Sequence, residues 1–389
     1  VPLRFLTAGE SHGPALTVIV EGLPAGVAAD AERIDRELRR RMGGHGRGGR
    51  MRIEDDHVEV LGGVRFGKTL GSPVCLVIRN RDFQNWTGAM ATAGEHPGAG
   101  AARSVTRPRP GHADLAGALK YATHDARDVL ERASARETAA RTAAGALCKG
   151  LLSSAGVEIT SRTTAVGRVR APDTAEADFD RLLALPDDAP FRVLDRATSE
   201  AFAREVDAAR EAGDSIGGVF EVLARGAPPG LGSHVHWDRR LDARLAAGVM
   251  SVPAVKAVSV GEGVESASRR GSETHDAIRY EDGCFRRPTN RAGGVEGGMS
   301  NGETIRVLGY LKPLATLPRP LESADLVSKE RFEAARERTD TVPIVAAGVV
   351  AEAMVALVLA DEMLHKFGGD RVDEVLRNLE AYRAALREY

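Results

Sequence analysis

Residues 107–141 read RPRPGHADLAGALKYATHDARDVLERASARETAAR, and they frame the rest of the chain. Pro108 and Pro110 stiffen the backbone around Arg109. Gly111 then permits a tight bend before His112, Ala113 and Asp114. From Leu115 onward the apolar residues fall at helical spacing (Leu115, Leu119, Ala122, then Ala133, Ala140, Ala144 and Leu147). This spacing predicts a long helix reaching about Ser153. Arg132 and Arg136 lie four apart and are expected on one side of it. The Ala-rich background predicts close packing inside the protein, where arginine needs an anionic partner. Glu131 and Glu137 are candidates, and so is a ligand phosphate or carboxylate, which suits the planar guanidinium fork. A helix of solvated charges with internal salt bridges remains open from this stretch alone.

The chain has 389 residues with 43% hydrophobic but only 4% aromatic content, so its core must be built from Ala, Val and Leu. A net charge of −2 argues against a general nucleic-acid binder and confines any anion binding to local arginine clusters. Cys75, Cys148 and Cys284 are odd in number and far apart, with no CxxC spacing. They are expected as free thiols in a reducing cytosol, and no basic-then-apolar signal pattern opens the sequence. Residues 342–360 approach transmembrane length with Glu352 as their only charge. Pro343 and Gly348 interrupt the run, and a buried strand followed by a helix is the expectation. No repeat, low-complexity segment or clear linker divides the chain, which reads as a single large α/β domain.

Toward the N-terminus, Arg4–Leu6 and Leu16–Glu21 read as strands around TAGESHG (7–13), a polar loop carrying Ser11 and His12. A histidine there is either a turn residue or an acid/base. Residues 30–42 predict a helix capped by Asp30, with Ile34, Leu38 and Met42 as its stripe. Arg39, Arg40 and Arg41 close it, and Arg47, Arg50 and Arg52 follow among glycines, which concentrates six arginines in fourteen residues. A lid over an anionic small molecule, an RGG-like RNA segment and a solvated loop all fit this run, and the shortage of neighbouring aromatics favours the lid. Gly62–Thr69 matches GxxxxGK[ST], but Gly71, Pro73 and the apolar residues 74–78 predict a turn and a strand next. A phosphate loop must open a helix, so a nucleotide triphosphatase is disfavoured. No GxGxxG lies between a strand and a helix, so a dinucleotide fold is not supported.

Residues 157–225 look less constrained. His234-Val-His236 with Asp238 has the form of a metal pair but lacks a third ligand nearby, and reads as structural, with no metal site expected. Residues 290–302 form a second glycine-rich element, where Gly297 and its neighbours would let a flat ring approach the backbone. Lys312, before a proline-fixed turn, suits a phosphate, with Thr316 able to add a hydroxyl. Residues 370–387 predict a final amphipathic helix.

Taken together, TAGESHG (7–13), RRRMGGHGRGGRM (39–51), RPGHADLAGALKY (109–121), DARDVLERASARET (125–138), GGVEGGMSNG (293–302), KPLAT (312–316) and ERTDTVP (337–343) resemble the chorismate synthase family, nearly end to end and in its order. The likeness is loosest over about 157–210, read as a variable insertion. It implies a layered β-α-α-β sandwich with a helical core between sheets, and protomers assembled as a cytoplasmic homotetramer. It also implies a lyase of the shikimate pathway, serving aromatic amino acid biosynthesis. The reaction would be the 1,4-elimination of phosphate from 5-enolpyruvylshikimate-3-phosphate with loss of the C6 proton. The implied cofactor is reduced FMN, which lends an electron and recovers it without net redox change. In some relatives NADPH reduces that flavin, whereas others draw on an outside reductant. By resemblance, Arg41, Arg47, Arg50, Arg109 and Arg136 would clamp the substrate's anions. His12 would be the general acid for the leaving phosphate, His112 would protonate or stabilise reduced flavin, and Asp340 with Ser11 would relay the C6 proton. FMN would be held by Arg132, Ala133, Ser134, Pro253, Ala254, Gly297, Lys312, Pro313, Leu314, Ala315, Thr316 and Arg338.

Overall fold

A computed structural model describes residues 2–49, 54–95, 103–173 and 178–389. Two antiparallel sheets carry the fold. The first runs β1-β2-β4-β3, from strands Arg4–Ala8 (β1), Ala15–Glu21 (β2), Val58–Gly62 (β3) and Val74–Arg79 (β4). The second runs β8-β9-β7-β5-β6, from Glu158–Val166 (β5), Val169–Arg170 (β6), Gly218–Arg225 (β7), Val255–Val260 (β8) and Ile305–Leu311 (β9).

Helix α1 (Ala31–Met42) starts where the Asp30 side chain accepts from Glu32 N at 3.1 Å, a cap worth about 1 kcal/mol. It buries Ile34 and Leu38. The stretch expected as one long helix is instead three: α2 (Asp114–Tyr121), α3 (Arg127–Ala133) and α4 (Thr138–Ser154). Ala122 turns left-handed at φ 54° and Ser134 is extended at ψ 140°, and each ends a helix. The break at Ser134 also separates the two arginines expected on one face. Arg132 is exposed and donates to Thr7 O and Gly9 O, whereas Arg136 is buried.

Residues 342–360 differ from expectation as well. No strand forms there; Ile344–Phe367 is one 24-residue helix, α7, following α5 (Arg196–Glu211) and α6 (Leu241–Met250) and preceding the terminal α8 (Val372–Glu388). Pro343 stands at its N-terminal boundary, where proline costs no hydrogen bond. The helix is long and apolar enough to cross a membrane, but it is buried within the protein. Its one charge in the apolar run, Glu352, accepts from Arg40 (2.8 Å), Lys149 (2.6 Å) and the Ser161 hydroxyl. Arg40 thus belongs to a core ion pair and not to the positive loop read from the sequence.

Helix α4 packs on β2 and β4 and, on its other side, on α7, which in turn packs on β5 and β7. The approach is close because small residues line it: a Cβ built on Gly145 would sit 2.3 Å from Ala353 Cβ. The region read as unconstrained is not so. Glu158–Val166 is an inner strand of the second sheet, and Phe179, Phe191 and Phe202 are wholly buried. Its buried polar residues Thr160, Ser161, Arg162 and Thr163, on both faces of the strand, hide the apolar alternation that marks a strand. The GxxxxGKT run forms a hairpin of Val64–Arg65 with Lys68–Thr69, followed by β4 and no helix.

Candidate active site

A cleft of about 520 Å³ opens where seven segments end together, a volume suited to a small-molecule ligand. The loop after β1 supplies Ser11 and His12. The end of α1 and the glycine-rich loop supply Arg41, Arg47 and Gly48, and the turn before α2 supplies Arg109 and His112. The break between α3 and α4 adds Ala133, Ser134 and Arg136. Val252–Ala254 and the run Lys312, Leu314, Ala315 and Thr316 face them, and Arg338, Asp340 and the first turns of α7 close the floor. Six of the lining residues are Arg or Lys and two, Glu337 and Asp340, are acidic. The remaining wall is apolar: Val252, Pro253, Ala254, Leu314 and Ala315, with Ala346, Ala347 and Val350 of α7.

Each histidine is tied to a carboxylate. His12 Nδ1 lies 2.9 and 3.1 Å from the two Glu131 oxygens, and its ring stacks on Trp86 with centroids 3.8 Å apart. Burial pushes the Glu131 carboxyl up, but hydrogen bonds from His12 and Arg127 outweigh it and hold the group below the ordinary glutamate range. On the opposite segment, Asp114 is fully buried. It accepts from Arg109 N and Nε at 3.0 and 2.8 Å and meets His112 Nδ1 at 2.5 Å. Burial again opposes ionisation, and again the hydrogen bonds of His112 and Arg109 win, leaving Asp114 well below the usual carboxylate range. Arg109 also donates to Thr316 Oγ1 at 2.9 Å, which ties the turn before α2 to the run after β9.

The guanidiniums are anchored from behind. Arg41 donates to Thr138 Oγ1 and Ala135 O, both at 2.9 Å, and Arg136 donates to Asn80 Oδ1 (2.9 Å) and Asp56 (2.7 Å). Arg41 Nη1 and Arg136 Nη2 remain buried with no hydrogen-bond acceptor among the described residues. Arg47 donates to Asp340 at 2.7 Å, and Gly48 N bonds the other oxygen of that carboxylate at 2.6 Å. A side chain at Gly48 would collide with Thr339 O at 2.4 Å, which is why glycine stands there. Ala254, left-handed at φ 68°, accepts from Lys312 N at 2.9 Å and fixes the start of the 312–316 run. The Lys312 ammonium is pushed below its ordinary range by burial and by the neighbouring Lys256.

Of the residues named from sequence, the cleft gathers Ser11, His12, Arg41, Arg47, Arg109, His112, Ala133, Ser134, Arg136, Pro253, Ala254, Lys312, Leu314, Ala315, Thr316, Arg338 and Asp340. Pro313 lies between lining residues without lining the cleft itself. Arg132 donates to Thr7, and Gly297 lies in the tight turn between Val295–Glu296 and Met299–Ser300; neither lines the cleft. Arg50 lies outside the described residues. His236 pairs with Asp238 on an exposed loop at 2.6 Å. Sequence reading did not assign a site role to Glu131, Asp114, Asp56 or Trp86. Asp114, two residues after His112, carried a signal; Asp56 and Trp86 reach the site only through the fold.

Comparison with known proteins gives one family. The sequence profile described as Chorismate synthase matches residues 3–364. A curated relative named Chorismate synthase from Solibacter usitatus is 52% identical over 390 residues, with 100% of both chains covered. One of the same name from Leifsonia xyli subsp. xyli is 52% identical over 389 residues, covering 99% of this chain and 97% of its own. Another, from Symbiobacterium thermophilum, is 53% identical over 384 residues, covering 98% of each. A solved structure, "Crystal Structure of Chorismate Synthase", aligns with a TM-score of 0.79 at 40% identity, covering 100% of this chain and 99% of that one.

Proposed function

The chain belongs to the chorismate synthase family and carries out its carbon–oxygen lyase reaction, loss of phosphate from 5-enolpyruvylshikimate-3-phosphate to give chorismate; from that premise we propose how the cleft divides the work. The observation that carries the assignment is the union, in one cleft, of two buried guanidinium nitrogens without hydrogen-bond acceptors among the described residues, a surplus of cations and an apolar wall. The substrate has two carboxylates and a phosphate, and fixed guanidinium forks are the receptors such groups need.

Reduced FMN fits the same cleft. The apolar wall suits a ring system, and Lys312 has no ion-pair carboxylate among the described residues, its Nζ reaching only Pro313 O at 3.4 Å. Ala133, Ser134, Pro253, Ala254, Lys312, Pro313, Leu314, Ala315, Thr316 and Arg338 would hold the cofactor. Arg132 and Gly297 are retained from the family pattern. Bound there, the reduced flavin would supply an electron to the substrate and recover it, with no net redox change.

The chain's own residues do the rest by positioning, charge stabilisation and proton handling. Arg41, Arg47, Arg109 and Arg136 orient the substrate's anionic groups, and Arg50 is retained for that role from the family pattern. As the C–O bond to phosphate breaks, His12 gives the departing oxygen a proton from Nε2, a contribution of about 10²–10⁴ in rate. Asp340, aimed by Arg47 and Gly48 N, receives the C6 proton together with Ser11. His112 is anchored on Asp114 through Nδ1, and its remaining ring nitrogen would stabilise the reduced cofactor.

The same reading includes a single domain layered β-α-α-β. Its support is the layer sequence β4–α4–α7–β7 and a main hydrophobic core whose residues range from Leu3 to Tyr382. A homotetramer is supported by the outward face of the first sheet, where the cross-strand partners Leu6 and Ile19 are both exposed. A cytoplasmic location accords with three free cysteines. The deciding experiment is anaerobic phosphate release with and without chemically reduced FMN. Release that requires reduced flavin and leaves it reduced is expected. Release indifferent to flavin, or none from folded protein, overturns the reading.

A further inference from the structure

We propose that Glu131 is a positioning residue for His12, holding the imidazole by Nδ1 so that Nε2 is the nitrogen that faces the cleft and exchanges the proton. The inference rests on the reading of His12 as the group that meets the leaving phosphate.

An ionised carboxylate only accepts hydrogen bonds, so the ring nitrogen beside it must carry the hydrogen. Both Glu131 oxygens lie within 3.1 Å of His12 Nδ1, and one also accepts from the His12 backbone N at 2.8 Å. The same glutamate's main chain accepts from Ser11 N at 2.9 Å. His12 is therefore fixed at backbone and ring by one residue 119 positions away. Trp86 removes the remaining freedom of the ring by stacking on it at an interplanar angle of 24°. Glu131 is itself immobilised, since Arg127 Nη1 donates to it at 2.8 Å while Arg127 Nη2 is held by Glu337 at 3.0 Å. Arg103 and Arg127 lie over the Trp86 ring at 3.9 and 5.0 Å. Arg127 thus anchors the carboxylate, Arg103 and Arg127 cover the indole, and the indole N–H donates to Asp82 at 3.2 Å. In proton terms, the Nε2 hydrogen passes to the phosphate oxygen, and the ring is left neutral with Nδ1–H still on Glu131.

A glutamate that merely braced the loop would show the same bonds, so the test separates bracing from positioning. In the full-length protein, Glu131→Gln should lower kcat about 10- to 100-fold, the usual cost of removing an orienting partner, with KM changed less than about threefold. In a His12→Ala background the same substitution should cost less than about twofold, because its effect runs through the imidazole. An equal loss in both backgrounds overturns the proposal. A second readout needs neither cofactor nor turnover. In ¹⁵N spectra of histidine-labelled protein, recorded at a pH where rings are neutral, the signal absent from His12→Ala should show hydrogen on Nδ1. Hydrogen on Nε2 in the wild type overturns the proposal even if Glu131→Gln does not fold. Should His12→Ala turn over normally, the general-acid role falls, while the spectrum still decides what Glu131 does to the ring.

Discussion

Arg41 and Arg136 converge on a single oxygen of Asp56: Arg136 Nη1 bonds it at 2.7 Å and Arg41 Nη1 stands 3.6 Å away. Glu54 stands 3.6 Å from Arg136 Nη2, beyond hydrogen-bond reach, and Arg41 Nη1 and Arg136 Nη2 are left without hydrogen-bond acceptors among the described residues. Burial is the main reason that Arg41 is lowered to about 10; the nearby Asp56 opposes the shift and Arg136 adds to it. A bound anion would satisfy both donors and relieve that cost. Arg136→Lys keeps the charge but loses the fork, and it should raise KM for the substrate roughly 10- to 100-fold, the range of one charge-assisted hydrogen bond. Steady-state kinetics under anaerobic conditions would show it. An unchanged KM would place the substrate's anions elsewhere.

The paired donors show what sequence could and could not reach. The arginines themselves are conspicuous among the glycines of residues 39–52 and at the head of α4, and the motif spacing placed them in one family. Which arginine faces the cleft was hidden. Arg40, Arg41 and Arg47 are alike by sequence, yet Arg40 neutralises Glu352 inside the helical core. The helix expected through Ser134 failed because Ser134 turns extended and caps the next turn, its hydroxyl accepting from Arg136 N at 3.3 Å. Glu158–Val166 was missed for a different reason, its buried polar residues being individually satisfied, as Thr160 is by Arg192. Local patterns were legible; pairings across the fold, such as His12 with Glu131, were not.

Lys312 offers a direct test of how the cofactor is oriented. Its ammonium is depressed first by burial and then by Lys256, and it gains most from a ligand that brings negative charge. Lys312→Gln should weaken FMN binding roughly 10- to 100-fold by calorimetry while leaving riboflavin, which lacks the phosphate, within about twofold. Equal losses for both ligands would mean that Lys312 meets the ring and not the phosphate.

Asp114 gives a pH-dependent prediction whose sign is fixed. Its carboxyl titrates below the ordinary 3.8 in the folded protein, so its contribution is complete above that pH. The contribution shrinks as acid protonates the unfolded chain, and it is lost as pH falls through the folded value. Asp114→Asn removes one partner of a buried ion pair and should cost about 3 kcal/mol in urea unfolding at pH 7. The gap from wild type should narrow steadily below 3.8. A gap that persists unchanged in acid would assign the loss to packing and not to charge.

Gly145 sits in the buried helix α4 and Gly248 in the half-exposed helix α6, and the same substitution should separate them. At an unhindered helical site alanine is favoured over glycine by about 1 kcal/mol. At Gly248 a new Cβ would meet Val358 Cγ2 at 3.4 Å and the Cβ and carbonyl oxygen of Met354 at 3.7 Å, which is ordinary contact. Gly248→Ala should therefore be neutral or slightly stabilising. At Gly145 the Cβ would fall 2.3 Å from Ala353 Cβ and 2.4 Å from its Cα, and neither atom can rotate away. Relief requires α4 and α7 to move apart, which breaks contacts along the whole crossing and costs about 1–3 kcal/mol or more, exceeding the gain in propensity. Gly145→Ala should lower Tm by several degrees relative to Gly248→Ala in parallel calorimetric scans. Equal melting of the two variants would show that the helical core is loose enough to absorb a methyl group, contrary to the close α4–α7 approach on which the cleft floor rests.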